Sequence, residues 1–411
     1  MFFSFKEKFA AILEDPKGDG KQFLVSKEGA STWLHQGDDT RAFFDAWKKR
    51  MQPACCDFPA IQQLIYASYE VNTLLEDLPL PKTSPPNGLL WLHEPEWSIC
   101  FDDASHTVYL ASRVSEQQLD DIEYLLDNIH KQTLSDELVV SEIHEASNDY
   151  CAAVEQVKQY IRAGDVFQAN IARFWQMSFD KQQLINLYQR LRRVNSAPFS
   201  CFLCADDLSI ISASPERLFS LSSDGIAETR PIAGTRRRSE GTEDMTLRDE
   251  LLLSDKECAE HIMLVDLERN DLGRVCEPGS VQVNEHMVIE QYATVQHIVS
   301  NVRGKLAKDH DVIDLFQAMF PGGTITGCPK VRCMEIIHEL EHQARGPYTG
   351  GVGYIAWDGS ADMNILIRSF WHDGEQLHWA AGAGIVADSD AEKERIETEH
   401  KAEGLLRALE T

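Results

Sequence analysis

The 411-residue sequence carries 39 basic and 66 acidic residues, a formal net charge of −27, which argues against nucleic acid or an anionic membrane as partner. Its 43% hydrophobic and 26% charged content is that of a soluble globular chain with room for one large domain or two to three smaller ones. No apolar run reaches the roughly 18 residues of a membrane span, and ten scattered cysteines without a secretory signal predict reduced thiols and a cytoplasmic location.

Taken in order, Met1–Leu13 mixes charges into an apolar stretch and reads as an amphipathic helix. A proline-rich loop spans 80–88, with strands expected at Leu89–His93, Trp97–Phe101 and Thr107–Ala111 and a helix opening at Ser115. This first portion, residues 1–140, carries no recognisable chemistry and reads as a region that completes a sheet core. From 145 to 411 the signals sharpen. Asn148 or Asp149 caps a helix that Gly164 stops, and Val166–Trp175 alternates so that Gln168, Asn170 and Ala172 share a face.

Strands follow at Phe199–Cys204, Leu208–Ala213, Arg217–Leu221 and Ile226–Pro231, then a long helix over Asp244–Leu267. Further strands are expected at Val281–Val283, Val288–Tyr292 and His297–Val302. Helices at Val312–Phe320 and up to Leu340 bracket a glycine-rich loop. Strands at Gly351–Trp357, Asp362–Trp371 and Gln376–Gly382 precede a last helix, Ala391–Leu409. Runs of strands with isolated helices and no βαβ alternation predict an α+β fold. The single C-x-x-C, Cys201 to Cys204, has no matching second pair and reads as buried thiols.

Glu257 and Glu260 stand three residues apart on the long helix, and Glu394 and Glu397 repeat the spacing on the last, with Lys401 beyond. Two helices offering two carboxylates each suit an all-oxygen site for a hard cation, Mg²⁺, although the same spacing is common on solvated helix faces. The loop Gly323–Lys330 fails the phosphate-loop pattern because Pro329 precedes and Val331 follows the lysine. Its N–H groups and threonine hydroxyls, Thr324 among them, could hold a carboxylate, and Gly382 and Gly384 could do so by close backbone approach. Either stretch could equally be a tight turn. Arg368, in an apolar strand, needs a partner, which a structural salt bridge or a substrate carboxylate could supply. Tyr348 could donate to the same group or simply pack, and His297 alone in a strand reads as core.

Arg230-Pro-Ile-Ala-Gly-Thr235, the Glu-x-x-Glu-His run, Arg269-Asn-Asp271, Phe320-Pro-Gly-Gly-Thr324, Pro329-Lys-Val-Arg332, Gly382-Ala-Gly-Ile-Val386 and Glu394-x-x-Glu-Thr398 occur in this order. The series resembles the chorismate-utilising enzymes, the family of anthranilate, aminodeoxychorismate, isochorismate and salicylate synthases. The resemblance spans about 145–405 and implies two packed, mainly antiparallel β-sheets flanked by helices, the fold of anthranilate synthase component I.

The resemblance also implies roles. Glu260 and Glu397 would bind Mg²⁺, with Glu257 and Glu394 holding its waters. Arg368, Tyr348, Gly382 and Gly384 would clamp a carboxylate of chorismate, with Thr235 and Thr324 also at the substrate. Glu216 would act as general acid, His297 would lie near the ring, and Lys401 near the metal. Water-adding members carry a lysine where Gln168 stands, so the ammonia-using branch is expected. Some aminodeoxychorismate synthases carry a lysine nucleophile where Ala233 stands, which points to anthranilate chemistry. The wording of Gln168–Asn170, Gly346–Thr349 and Met363–Leu366 favours the aminodeoxychorismate branch, and so a product for para-aminobenzoate and folate synthesis. Without a G-x-C-x-G elbow, ammonia would come from solution or from a glutamine amidotransferase subunit. A silent relative that serves only as a binding partner is the other class, which the missing lysine at Ala233 makes conceivable.

Overall fold

The structure is a computed structural model that describes residues 8–14, 20–51, 60–80, 83, 85, 87–112, 119, 120, 122, 124, 138–146, 149–237, 249, 251, 253–291 and 295–410, the side chains of 235–237, 255, 256 and 295 excepted. The chain opens with β1 (Phe9–Glu14), β2 (Lys21–Ser26) and β3 (Gly29–Leu34), then α1 (Thr40–Arg50), β4 (Ile61–Ala67) and the short α2 (Asn72–Leu75). Next come β5 (Leu90–Pro95), β6 (Trp97–Asp102), β7 (Thr107–Ser112), β8 (His144–Glu145), α3 (Tyr150–Ala163), β9 (Gln168–Ser178) and α4 (Leu184–Val194). The middle holds β10 (Phe199–Ala205), β11 (Leu208–Ser214), β12 (Arg217–Leu221), β13 (Ile226–Thr229), β14 (Ile232–Arg237), α5 (Asp255–Gly273), β15 (Gln282–Gln291) and β16 (Val295–Lys305). The chain then runs through α6 (Val312–Met319), β17 (Gly327–Cys328), α7 (Lys330–Leu340), β18 (Gly351–Ala356), β19 (Ala361–Ile365), β20 (Ser369–His372), β21 (Gln376–Ile385) and α8 (Ala391–Leu409).

Among the described residues these strands form an 11-stranded sheet, ordered β17-β9-β21-β20-β11-β10-β1-β2-β6-β7 with β8 beside β9, and a 10-stranded sheet, ordered β14-β16-β13-β12-β19-β18-β4-β5-β3 with β15 beside β16. The two sheets pack face to face through Ala11, Phe23, Val25, Phe174 and Ile210 of the first and Leu64, Tyr66, Trp91 and Val352 of the second. Helices α4 and α8 cover the outside of the first sheet. Helices α1 and α6 supply Trp47 and Phe316 to the apolar layer outside the second, and α3 and α7, which bring Val154 and Ile336 to the same cluster, lie against β9 of the first. This is the α+β architecture of packed antiparallel sheets expected from the sequence.

Several elements differ from expectation for identifiable reasons. Phe9–Glu14 is a strand between β10 and β2, not part of a helix. Phe9 and Ile12 face α4 and α8 while Ala11 faces the second sheet, so both faces are apolar and the strand loses its alternation. The stretch Asp362–Trp371 is not one strand: β19 lies in the second sheet and β20 in the first, and Leu366–Arg368 bridge them, with Arg368 at φ +51°. The long helix begins at Asp255 behind the Ser254 cap and continues to Gly273. The two short strands expected over 281–292 are one, β15, whose register shifts twice near Met287 at φ +51°. Of the 80–88 loop, residues 81, 82, 84 and 86 lie outside the described residues, as does most of the helix expected from Ser115, of which 119, 120, 122 and 124 are described and helical. Cys201 is buried and Cys204 half-buried, both as free thiols.

Candidate active site

The site forms where β9 and β21 run together, and its shape is set by glycine. Asn170 is opposite Gly384 and Ala172 opposite Gly382. A Cβ on Gly382 would sit 2.5 Å from Asn170 Oδ1 and 2.8 Å from the Tyr348 hydroxyl, and one on Gly384 would sit 2.1 Å from Gln168 Nε2. Only hydrogen fits at either position. Backbone direction follows from the same pairs. Asn170 N–H donates to the Thr326 carbonyl at 2.9 Å and Ala172 N–H to Glu341 Oε1 at 3.0 Å, both on the edge away from β21. These are therefore the non-hydrogen-bonded pairs of the ladder, so Gly382 and Gly384 also turn their N–H and C=O groups away from β9. The neighbouring β20 pairs only as far as Trp379, which leaves those groups facing an open edge. Lys401 Nζ donates to the Gly382 carbonyl at 3.0 Å.

Two amide side chains line this floor. Gln168 is buried, and its Nε2 donates to Glu260 Oε1 at 2.8 Å, while Gln168 Oε1 and Asn170 Oδ1 have no hydrogen-bond partner among the described residues. Burying an amide oxygen unpaired costs on the order of 1–3 kcal/mol, so the floor is arranged to meet donors that a ligand brings. Tyr348 is buried edge-on to Phe174, with ring centroids 6.1 Å apart.

Above the floor stand an acid, a cation and an imidazole. Glu216, on the short link between β11 and β12, is buried, and burial pushes its carboxyl up to about 7 against the opposing influence of Thr324, Arg368 and Lys401. The Thr324 hydroxyl faces it without forming a hydrogen bond. Arg368 lies in the bridge between the two sheets, half-buried. Among the described residues its guanidinium has neither an ion pair nor a hydrogen bond, so the structural salt bridge that the sequence left open is absent. Burial pulls its pKa down while the Glu216 charge raises it. His297 on β16 is 2% exposed, with Nδ1 3.3 Å from the Gly234 carbonyl, which places the proton on Nδ1. Burial and then the Arg368 charge lower its pKa to about 4, so it is neutral.

The carboxylate pairs flank this group. Glu257 lies against Gly234, where an added Cβ would be 2.9 Å from its Oε2, and Glu260 is held by Gln168. Glu394 is buried and accepts from Ser389 Oγ at 2.7 Å. Glu397 is exposed and pairs with Lys401 at 2.8 Å, which in turn reaches the Gly382 carbonyl. Four carboxylates and the partnerless Gln168 oxygen are the donor chemistry of a hard cation. Among the described residues no three His, Cys, Asp or Glu side chains are gathered at ligand distance, so the helices present their pairs separately. Thr235 pairs opposite His297 in the backbone, and its side chain lies outside the described residues. Ala233 is buried one register step away, opposite Ile298.

Sequence reasoning missed the groups behind the floor. Lys330 forms a buried ion pair with Asp271, and Glu268 accepts from Gly323 N–H at 3.3 Å, so the glycine-rich loop is anchored to α5 instead of cradling a phosphate. The charges in Asp266–Asp271 and the lysine after Pro329 were visible, but their meeting was not. Arg345 and Glu341, described below, gave no local signal beyond helical spacing.

The family model described as chorismate binding enzyme matches residues 8–407. The chain belongs to the chorismate-binding enzymes. It is 44% identical over 349 residues to the "Anthranilate synthase component I-like protein" of Synechocystis, covering 84% of this chain and 72% of that one. It is 39% identical over 410 residues to "Aminodeoxychorismate synthase component 1" of Bacillus subtilis, covering 95% and 86%. Among solved structures of chorismate-binding enzymes, anthranilate synthase component I from Streptococcus pneumoniae superposes with a TM-score of 0.84 at 28% identity, covering 94% of this chain and 92% of that one. The chain is thus an enzyme of the chorismate-utilising family. None of its described helices is long and apolar enough to cross a membrane.

Proposed function

We propose that the enzyme converts chorismate and ammonia into 4-amino-4-deoxychorismate. The observation that carries a substrate of this kind is the juxtaposition of Arg368, a cation without an ion pair or hydrogen bond among the described residues, and Glu216, a carboxyl that feels its charge and is poised near neutrality. Arg368, the Tyr348 hydroxyl and the outward N–H groups of Gly382 and Gly384 would receive the enolpyruvyl carboxylate. Glu216, protonated below about pH 7, would give its proton to the departing 4-hydroxyl, with the Thr324 hydroxyl facing it across the site. Glu260 and Glu397 would hold Mg²⁺, with Glu257 and Glu394 at its waters; the bound cation supplies the positive charge that a ring carboxylate lacks in a protein of net charge −27.

Gln168 supports ammonia as nucleophile. A neutral amide has no basic nitrogen and cannot activate water, whereas free ammonia attacks unaided. Ammonia would reach the site from solution or from a glutamine amidotransferase subunit. Retention of the enolpyruvyl group is supported by His297, whose neutral, weakly basic ring is a poor base for the C2 proton that pyruvate elimination must remove. The near full-length match to the Bacillus subtilis protein agrees with that reading.

A second reading, anthranilate formation, is favoured by Ala233, which offers no amine for a covalent adduct at C2, and by the higher identity to the Synechocystis protein. Incubation with chorismate, Mg²⁺ and an ammonium salt, without any lyase, separates the two. Accumulation of 4-amino-4-deoxychorismate is expected. Fluorescent 2-aminobenzoate with equimolar pyruvate would establish the second reading, and no consumption of chorismate would defeat both.

A further inference from the structure

We infer that the buried Arg345–Glu341 ion pair is a positioning device for the substrate face, a role that rests on the chorismate reaction proposed above. Arg345 is 1% exposed and Glu341, at the end of α7, 8%. The fork is bidentate, Nε to Oε2 at 2.8 Å and Nη2 to Oε1 at 2.6 Å. The remaining donors go to three places: Nη2 to the Asn170 carbonyl at 2.8 Å, Nη1 to the Ile325 carbonyl at 3.1 Å, and Nη1 to Thr349 Oγ1 at 3.4 Å.

The reason for so costly a burial lies in the edge of β9. On the side away from β21, β17 covers only Gln168 and Ala169, and β8 only Trp175 and Gln176. Between them, among the described residues, no strand pairs with β9, yet its backbone is buried. Glu341 accepts the Ala172 N–H and Arg345 donates to the Asn170 carbonyl, so the ion pair takes the place of the missing strand. This edge lies directly behind the Asn170–Gly384 and Ala172–Gly382 pairs that form the floor.

The same guanidinium fixes Ile325, next to Thr324, and Thr349, next to Tyr348. Its guanidinium carbon lies over the rings of Tyr69 and Tyr348, 4.7 and 5.7 Å from their centroids. The backbone N–H groups of Arg345 and Gly346 are in turn received by the buried Glu70 carboxyl at 2.7 and 3.1 Å. Three separate site segments therefore take their relative placement from one planar cation. A lysine cannot reproduce this, since its compact ammonium has neither the fork nor the span.

The test uses Arg345→Ala and Arg345→Lys in the full chain, with chorismate turnover and amide exchange measured on each. A small pocket open to solvent, lined by Tyr69, Glu70, Met334, Glu341 and Arg345, gives small guanidinium ions a route to the vacated place. Folded Arg345→Ala should lose about 100-fold in kcat/KM and regain at least about tenfold with millimolar guanidinium, but not with sodium chloride of equal ionic strength. Arg345→Lys should stay impaired, with faster exchange at the Ala172 amide and unchanged exchange at Ala380. If Arg345→Ala does not fold, Arg345→Lys decides alone. Wild-type kcat and KM in either folded variant, or rescue that sodium chloride matches, would overturn the inference. A wild type inert towards chorismate would instead sink the proposed reaction, and unaltered Ala172 exchange in Arg345→Lys would then still overturn the positioning role.

Discussion

The Gln168 amide donates to Glu260 at 2.8 Å, tying the strand that floors the site to the helix bearing the first carboxylate pair. That contact orients Gln168 with its oxygen partnerless and leaves no basic group at this position. The enzyme should therefore consume chorismate with ammonium present and form no isochorismate when ammonia is withheld. Chromatography of ammonia-free reactions checks this, and a clear isochorismate peak would show that another group activates water.

Glu260→Gln and Glu397→Gln should each reduce kcat/KM by about 100-fold or more, the loss of one anionic ligand from a hard-cation site. Stability should barely change for Glu397→Gln, because its pair with Lys401 is exposed, and such pairs contribute roughly 0–1 kcal/mol. Turnover by the wild type that persists after exhaustive chelation would refute the metal assignment.

Arg368 is predicted to be a liability for folding and a requirement for function. Arg368→Met removes a half-buried, partnerless charge and should leave the melting temperature equal or higher, while raising KM for chorismate by about tenfold or more. Thermal melts alongside steady-state kinetics test both halves. A variant that melts earlier, with KM unchanged, would return Arg368 to a purely structural role.

The pH dependence follows from Glu216. Its folded pKa, about 7, is raised above the ordinary carboxylate value. The folded state therefore binds the proton more tightly, and this contribution to stability is full below about pH 4.5 and lost as pH rises through about 7. Turnover that depends on the protonated acid should fall over the same upper limb. Glu216→Gln should abolish catalysis and flatten the stability change between about pH 4.5 and 7. A stability profile identical to that of the wild type would show that the carboxyl is already ionised.

Much of this was readable before folding because its signals are local. Asp149 caps α3, Gly164 ends it at φ +86°, and α8 spans the residues its pattern implied. The carboxylate pairs, Arg368 and the glycines stood out for the same reason. What could not be read depends on residues far apart in the chain. The strand character of Phe9–Glu14 needs a cover on both faces, and the break at Leu366–Arg368 is visible only when β19 and β20 are seen in different sheets. Arg345 offers no clue to its role until the gap in the edge of β9 is known.

The interleaving of the two sheets bears on how the protein is made. Leu64 and Ala67 of β4 pair with Tyr354 and Gly351, while Ala11 of β1 pairs with Leu203. The middle of the second sheet thus joins an early strand to one synthesised almost last. On the ribosome β4 must wait, with one edge unpaired, until β18 has emerged. Such long-range closure makes for slow folding and exposes the nascent chain to aggregation. Chaperone demand during synthesis should therefore be high, and a chain released before residue 356 should accumulate as insoluble material instead of as a smaller folded unit.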